Sequence, residues 1–324
     1  MSTTSLMPSS ESDIRDLLIS ETEGLHIAGG QSRLRATEEK VISTCALTGI
    51  VEYEPGALTM VAKAGTPLSI INETLQKENQ QLAFEPPEYK HILNLLGHST
   101  IGGVFATNAS GSRRIQVGAA RDHLLGVRFI DGLGRVVKNG GRVMKNVTGY
   151  DLVKLMAGSW GTLGIITEVS FKVLPIAETQ VTLQIASREA SMQQLLKEFS
   201  DFEIDIFDAE ESKKFWSDVN NLAFFENMQG DLWRISVRPT DGIQIIKKLD
   251  PKASYLDWSG GLVWLRVEEG FNVREKMQKM SGHAMCLSGS FNQFHPISTI
   301  EKTMSTSIRK KFDPKMLFNQ QVLN

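Results

Sequence analysis

Glycine is the residue type whose spacing carries chemistry in this chain. Between Leu96 and Pro175 it recurs in a series of short loops: Gly97-His98-Ser99-Thr100-Ile101-Gly102-Gly103, Asn108-Ala109-Ser110-Gly111, Gly118-Ala119-Ala120-Arg121-Asp122, Gly149-Tyr150-Asp151 and Gly158-Ser159-Trp160-Gly161-Thr162-Leu163-Gly164. Without a Cβ, glycine lets backbone approach a ligand closely and adopt positive φ at little steric cost. Successive amides in such loops form concave nests for phosphate. Any one of these loops alone is an ordinary tight turn. Several in one stretch describe backbone wrapped around an extended, phosphorylated ligand. Leu25-His26-Ile27-Ala28 followed by Gly29-Gly30-Gln31-Ser32 reads as a strand ending in a further candidate cradle, with a plain turn as the alternative.

The chain lacks the strand-to-helix G-x-G-x-x-G of a dinucleotide fold and the G-x-x-x-x-G-K-[ST] of a P-loop. A ligand held by separated glycine loops must be long and anchored at more than one segment, and FAD fits that description.

With 324 residues, 41% hydrophobic and 22% charged, the sequence has ordinary globular composition and enough length for two domains. A formal net charge of -2 gives no reason to expect a nucleic-acid partner. Two cysteines, Cys45 and Cys286, cannot ligate an iron–sulfur cluster and read as small buried hydrophobes. No secretory signal and no apolar run of membrane-spanning length is expected, which suits a cytoplasmic chain.

The elements that must position the loops follow from periodicity and turn chemistry. A first helix is expected over 12–19, a strand over 25–28, and strands over 50–54 and 59–64 joined through Pro55-Gly56. Thr66 as N-cap and Pro67 at the first helical position predict a helix to about Asn79, with Leu68, Ile71 and Leu75 inward. A short helix follows Gly103. A hairpin pairs 124–130 with 135–138, a helix over 151–157 buries Leu152, Leu155 and Met156, and a strand runs 165–174 to Pro175. Beyond it the expected order is strand 181–186, helix 190–199, strand 233–238, helix 242–249, strands 255–258 and 262–267, helix 273–280, strand 284–289 and a last helix 299–311. The 233–289 part is the βαββαβ order of a ferredoxin-like layer.

The ordered string Thr100-Ile101-Gly102-Gly103, Ala106-Thr107-Asn108, Gly111, Gly118, Arg121-Asp122, Leu125-Gly126-Val127, Asp131-Gly132, Lys145-Asn146-Val147-Thr148-Gly149-Tyr150-Asp151 and Gly161-Thr162-Leu163-Gly164-Ile165-Ile166-Thr167 resembles the FAD-linked oxidases of the vanillyl-alcohol-oxidase (PCMH) type. Within that family the chain is most similar to the FAD-binding E subunits of glycolate oxidases (glycolate dehydrogenases). Gly140 to Asn146 and the terminal Phe312-Asp313-Pro314 and Leu317-Phe318-Asn319 add to that likeness. The resemblance is carried chiefly by 96–175, then by 25–95, and least by the C-terminal half. It implies an α+β fold: a PCMH-type FAD-binding domain over 1–175, with subdomains of about 12–95 and 96–175, and a smaller ferredoxin-like domain over 176–324 whose tail returns to the first.

For the cofactor, the resemblance implies contacts from Ala28, Gly29, Gly30, Gln31 and Ser32, from Pro86, from Gly97, His98, Thr100, Ile101, Gly102, Gly103, Ala106, Asn108 and Gly111, from Gly118 and Asp122, and from Gly161, Gly164 and Ile165. Gln31 stands where the family's first loop usually has a third glycine, and Asn319-Gln320-Gln321 replaces a common Asn-Pro-Gly. His98 is open to covalent flavin attachment or to an ordinary loop role. Arg113, Arg114 and Arg121 are candidates for phosphate or substrate, and Arg121-Asp122 for a simple ion pair.

Relatives with a complete site draw a metal-binding histidine pair from the C-terminal domain. Here His283 and His295 are expected to lie well apart, so no metal is assigned and no catalytic base is named. The implied activity is oxidation at the CH–OH of a 2-hydroxy acid such as glycolate or D-lactate, in a hetero-oligomer with a larger FAD subunit of the same family and an iron–sulfur subunit. Such partners could bring the chain to a membrane surface. The alternatives are a non-catalytic FAD-fold scaffold or electron relay, and a stand-alone D-lactate-type dehydrogenase.

Overall fold

The structure, a computed structural model, describes residues 5–35, 39–95, 97–141, 149–186, 203–277 and 280–323. The motif segment Arg142 to Thr148 and the helix expected over 190–199 lie outside the described residues. Strand β1 (Ser5–Leu6) leads to helix α1 (Glu11–Ser20), whose start is a capping box: Ser10 accepts from the Asp13 amide and Asp13 answers the Ser10 amide. Strands β2 (Leu25–Ala28) and β3 (Lys40–Ser43) complete a small parallel sheet of order β1-β3-β2. All four β2 residues are buried, as a parallel strand covered on both faces requires. The C-terminus returns to its edge, where the Leu25 amide donates to Leu317 O and Asn319 N donates to Leu25 O.

Strands β4 (Ile50–Glu54) and β5 (Thr59–Lys63) flank the Pro55-Gly56 turn. Helix α2 (Leu68–Gln76) begins after Pro67, one residue later than expected. The Thr66 hydroxyl does not cap it: it donates to Lys63 O at 2.7 Å and accepts from the Gly49 amide at 2.9 Å, closing the preceding turn. The helix ends at Gln76, before a left-handed Asn79.

Strand β6 (Gln80–Gln81), helices α3 (Ile101–Thr107), α4 (Arg114–Val117) and α5 (Ala120–His123), the hairpin β7 (Leu124–Ile130) and β8 (Val136–Gly140), helix α6 (Leu152–Met156), and strands β9 (Ile165–Lys172) and β10 (Leu174–Pro175) follow. Five strands form an antiparallel sheet of order β4-β5-β9-β7-β8. Its core joins Met60, Phe129 and Phe171 to Ile71 and Leu75 of α2 and Phe105 of α3. In α6 the fully buried residues are Val153 and Met156, while Leu152 and Leu155 pack at the margin. The helix is only five residues long, so its buried stripe is set by contact with β7 and β8 rather than by its own amphipathicity.

The C-terminal half opens with an antiparallel pair, β11 (Thr182–Ala186) and β12 (Glu203–Phe207), then helix α7 (Ala209–Asn220), capped by Asp208. Strand β13 (Asp231–Ser236), helix α8 (Gly242–Leu249), strands β14 (Ala253–Asp257) and β15 (Leu262–Val267), helix α9 (Val273–Lys276) and strand β16 (His283–Ser288) build a second antiparallel sheet of order β14-β15-β13-β16. Trp233, Ile235, Val263, Leu265, Ala284 and Cys286 form a core of their own with α8 and α9. Helix α10 (Thr299–Phe312), with a Ser298–Glu301 capping box, carries the chain back to β2. The mixture of largely antiparallel sheets and separate helices is α+β. Among the described residues no helix is long and apolar enough to cross a membrane.

Candidate functional site

A cleft of about 640 Å³, much of it open to solvent, lies where β2, the N-terminus of α3 and the 158–164 loop converge. Of the residues singled out from sequence, Ala28, Gly29, Gly30, Gln31, Ser32, Thr100, Gly102, Gly103, Ala106, Gly161 and Gly164 line it together. Asn108 lines the adjoining pocket. Pro86, Gly97, His98, Ile101, Gly111, Gly118, Asp122 and Ile165 line neither. Ile101 and Ile165 are fully buried core residues. The Asp122 carboxylate accepts from the Ala119 amide rather than pairing with Arg121, and Gly111 packs on Glu85.

The glycines divide into two kinds. A Cβ on Gly30 would overlap the carbonyl of His98, one on Gly97 the carbonyl of Gly30, and one on Gly102 the Ala64 side chain. These three exist for chain-to-chain contact. Gly103 is different: a Cβ there meets only the Thr100 hydroxyl, at 3.2 Å, and otherwise extends into free space.

The amides divide as well, and not as expected. At the start of α3, Ile101 N donates to Thr66 O, Gly102 N to Ala64 O and Gly103 N to the Thr100 hydroxyl. Among the described residues no hydrogen bond engages the amides of 29–34. The free donors therefore belong to the first loop. Gln31 there holds φ +52, a left-handed conformation that glycine would adopt without strain.

A second pocket of about 1430 Å³, part of it open to solvent, adjoins the cleft and shares Arg33, Thr107 and Trp160 with it. Four arginines line it, Arg33, Arg114, Arg121 and Arg234, and no carboxylate does. Arg234 from β13 lies over the rings of Trp258 and Trp264, 5.1 and 5.7 Å from their centroids, and its guanidinium makes no hydrogen bond or ion pair among the described residues. Arg114 covers Trp258 at 4.6 Å. Burial holds both guanidiniums below their ordinary pKa. Tyr89, edge-on to Trp264, is pushed up to about 12 by burial and stays a hydrogen-bond donor at neutral pH. Arg113 does not join this group; it pairs with Glu85 at 2.7 Å.

The C-terminal layer roofs this pocket through specific bonds. Ser112 donates to Asp257 at 2.9 Å, Trp258 Nε1 donates to Gly111 O at 3.0 Å, and Trp160 meets Phe294 edge-on at 5.0 Å. Arg35 donates to the carbonyls of Cys286, Leu287, Gly289 and Phe291. His283 and His295, expected far apart, meet edge-on with ring centroids 5.4 Å apart because β16 and the loop after it fold back together. Among the described residues no group of three His, Cys, Asp or Glu is placed to hold a metal. Cys286 is buried as expected, whereas Cys45 is half-exposed, with Sγ 4.0 Å from His98 Nε2.

Arg33, Trp160, Tyr89 and Arg234 escaped the sequence reading. A bulky residue at positive φ (Trp160, +53) is a signal of constraint that only coordinates reveal.

Comparison with known proteins adds independent findings. A family model described as an FAD binding domain matches residues 16–140. The chain is 32% identical over 338 aligned positions to the glycolate oxidase subunit GlcE of Escherichia coli K12, covering 93% of each chain. It is 33% identical over 145 residues to a D-lactate dehydrogenase of Anaerostipes hadrus (45% of this chain, 29% of that one). It is 34% identical over 134 residues to the glycolate oxidase subunit GlcD of Bacillus subtilis 168 (41% and 27%).

Proposed function

Since the chain belongs to the FAD-linked oxidases of the PCMH type and its cofactor is FAD, we propose that it is the FAD-binding subunit of a glycolate or related 2-hydroxy-acid oxidase/dehydrogenase complex. The described residues fit the cofactor. The free amides of 29–34 and the open space over Gly103 suit a pyrophosphate, and the Arg33 side chain lines the same cleft. The observation that carries the substrate reading is the arginine-lined pocket adjoining the cleft, with no carboxylate in its lining.

Arg234, which lines the pocket with its guanidinium over two tryptophan rings, takes the carboxylate through its fork of donors. Tyr89 donates to the same anion or to the hydroxyl. Trp258 and Trp160 exclude water from one side. When bound, FAD supplies the acceptor for the Cα hydride. Of the histidines among the described residues, His283 lines the pocket, at its exposed mouth, where a proton released by the hydroxyl can pass to solvent.

In this reading residues 1–175 form the FAD domain and 176–324 a ferredoxin-like cap. The distinct cores of the five-stranded and four-stranded sheets and the cap's β14-β15-β13-β16 order support it. The relatives named as glycolate oxidase subunits support a multi-subunit complex; a larger FAD subunit and an iron–sulfur subunit are the partners that the family resemblance implies.

The test is the purified chain with FAD, glycolate or D-lactate and an artificial electron acceptor, alone and with the two partner subunits. Acid-dependent reduction of this chain's flavin supports the reading. A protein that takes up no FAD refutes the cofactor, and an FAD-replete chain whose spectrum ignores every 2-hydroxy acid refutes the substrate.

A further inference from the structure

Arg33 is 8% exposed and lines both the cofactor cleft and the arginine pocket. One terminal nitrogen donates to Pro87 O at 2.6 Å and the other to the Ser32 hydroxyl at 3.3 Å, while Nε has no partner among the described residues. Its carbonyl is held by Gln293 Nε2 at 2.9 Å, so backbone and guanidinium are both fixed. No carboxylate lies within ion-pair distance among the described residues; Glu88 acts on it only at longer range. A guanidinium buried without a counter-ion is costly unless an anion arrives to use it.

Two anions could do so, the pyrophosphate or the redox-active ring. The amides of 29–34, without partners among the described residues, are available to the first. The ring must lie where cleft and acid pocket meet, because hydride transfer needs reacting atoms about 3–3.5 Å apart. Arg33, Thr107 and Trp160 mark that junction, and Arg33 is the charged member. A hydride brings two electrons and one proton, so the ring gains one negative charge while the hydroxyl proton leaves separately. A fixed cation beside it favours the reduced form.

We infer that Arg33 is a positioning residue that raises the reduction potential of the bound flavin by placing its positive charge against the ring. This rests on the assignment of the cleft to FAD. A wild-type protein that binds no FAD would defeat that assignment, whereas FAD-replete variants defeat only the inference.

The experiment is equilibrium reduction of the FAD-loaded protein against reference dyes, in wild type, R33Q, R33M and R33K, with circular dichroism to verify folding. R33Q and R33M should shift the redox equilibrium toward oxidised flavin at least tenfold, about 30 mV for a two-electron couple. R33K, which keeps the charge, should stay within threefold of wild type. Where a variant holds FAD too weakly to titrate, the ratio of its affinities for oxidised and reduced FAD gives the same quantity by linkage. Neutral variants within threefold of wild type, or equal loss of affinity for both forms, would overturn the inference and place Arg33 with the phosphates. If neither neutral variant folds, R33K decides, and a tenfold shift there overturns it.

Discussion

Asn319 clasps Ile27 as a neighbouring strand would: its Oδ1 accepts the Ile27 amide at 2.7 Å, and its Nδ2 donates to the Ile27 carbonyl at 3.1 Å. The same Nδ2 reaches the Trp160 carbonyl at 2.6 Å. One buried side chain near the C-terminus thus joins the strand that enters the first cofactor loop to the glycine loop opposite. Its own φ of +40 is a left-handed value that asparagine tolerates better than most residues. The C-terminal segment therefore braces two elements of the cleft wall from behind, and the asparagine retained at 319 does this through its own amide group.

Replacing Asn319 by Ala should leave Ile27 N, Ile27 O and Trp160 O without partners in a buried setting. Each orphaned group costs about 1–3 kcal/mol, with partial relief from relaxation. The expected net loss is about 2–4 kcal/mol in stability with weaker FAD retention. Denaturant unfolding and FAD titration check it; an unchanged midpoint and unchanged affinity would show that the clasp is incidental.

Gly102 and Gly103 should respond oppositely to the same substitution. Gly102→Val drives a side chain into Ala64 and should lower the melting temperature whether or not cofactor is present. Gly103→Val meets little protein and fills the cleft, so the apo protein should melt near wild type while FAD binding is lost. A Gly103 variant that still binds FAD tightly would remove this face of α3 from the cofactor wall.

The glycine density of 96–175 was readable because glycine marks close approach whatever the partner. What it could not reveal is the partner. Gly30 and Gly97 turn out to face other backbone and Gly102 to face Ala64, and the amides at 101–103 are spent on Thr66, Ala64 and Thr100. The first loop, with its irregular Gln31, has the free amides. Arg33, Trp160 and Arg234 converge from three distant points of the chain, so no local spacing announces them. His283 and His295 were separated by reading sequence distance as spatial distance across a chain that doubles back. Long periodic elements such as α10 were legible; strand β3 and the acidic strand β12 were not, because their pairing partners rather than their own pattern define them.

Arg234→Met should keep the fold and the FAD content but weaken the 2-hydroxy acid. Loss of a charge-assisted hydrogen-bonding partner costs about 1.5–3 kcal/mol, which is about 10- to 100-fold in affinity. Titrating glycolate into the FAD-loaded chain and following the flavin spectrum measures this without partners. An unchanged glycolate affinity would move the carboxylate site to Arg114 or Arg121, the other cations of that pocket outside the cleft.

Stability should fall between pH 6.5 and 4 through His26. This residue is 2% exposed on β2, its Nδ1 lies 3.1 Å from Gln321 Nε2, and burial lowers its pKa from 6.5 to about 4. The folded state therefore keeps His26 neutral where the unfolded chain binds a proton. Its contribution is fully present above pH 6.5 and is lost as pH falls toward 4, by up to about 3 kcal/mol. His295, also lowered by burial and by the neighbouring His283, acts in the same direction. Glu11 and Glu21, whose carboxyls are lowered chiefly by hydrogen bonds from Arg128 and Lys40, add losses only below their ordinary pKa of 4.5. Glu39 and Asp257, whose carboxyls burial raises, work in the opposite direction as pH falls, so the comparison with a His26 variant is what isolates the imidazole. Urea unfolding at pH 7 and 5 should show a drop in wild type that shrinks markedly in His26→Gln. Equal drops in the two proteins would mean that the buried imidazole is not the titrating group.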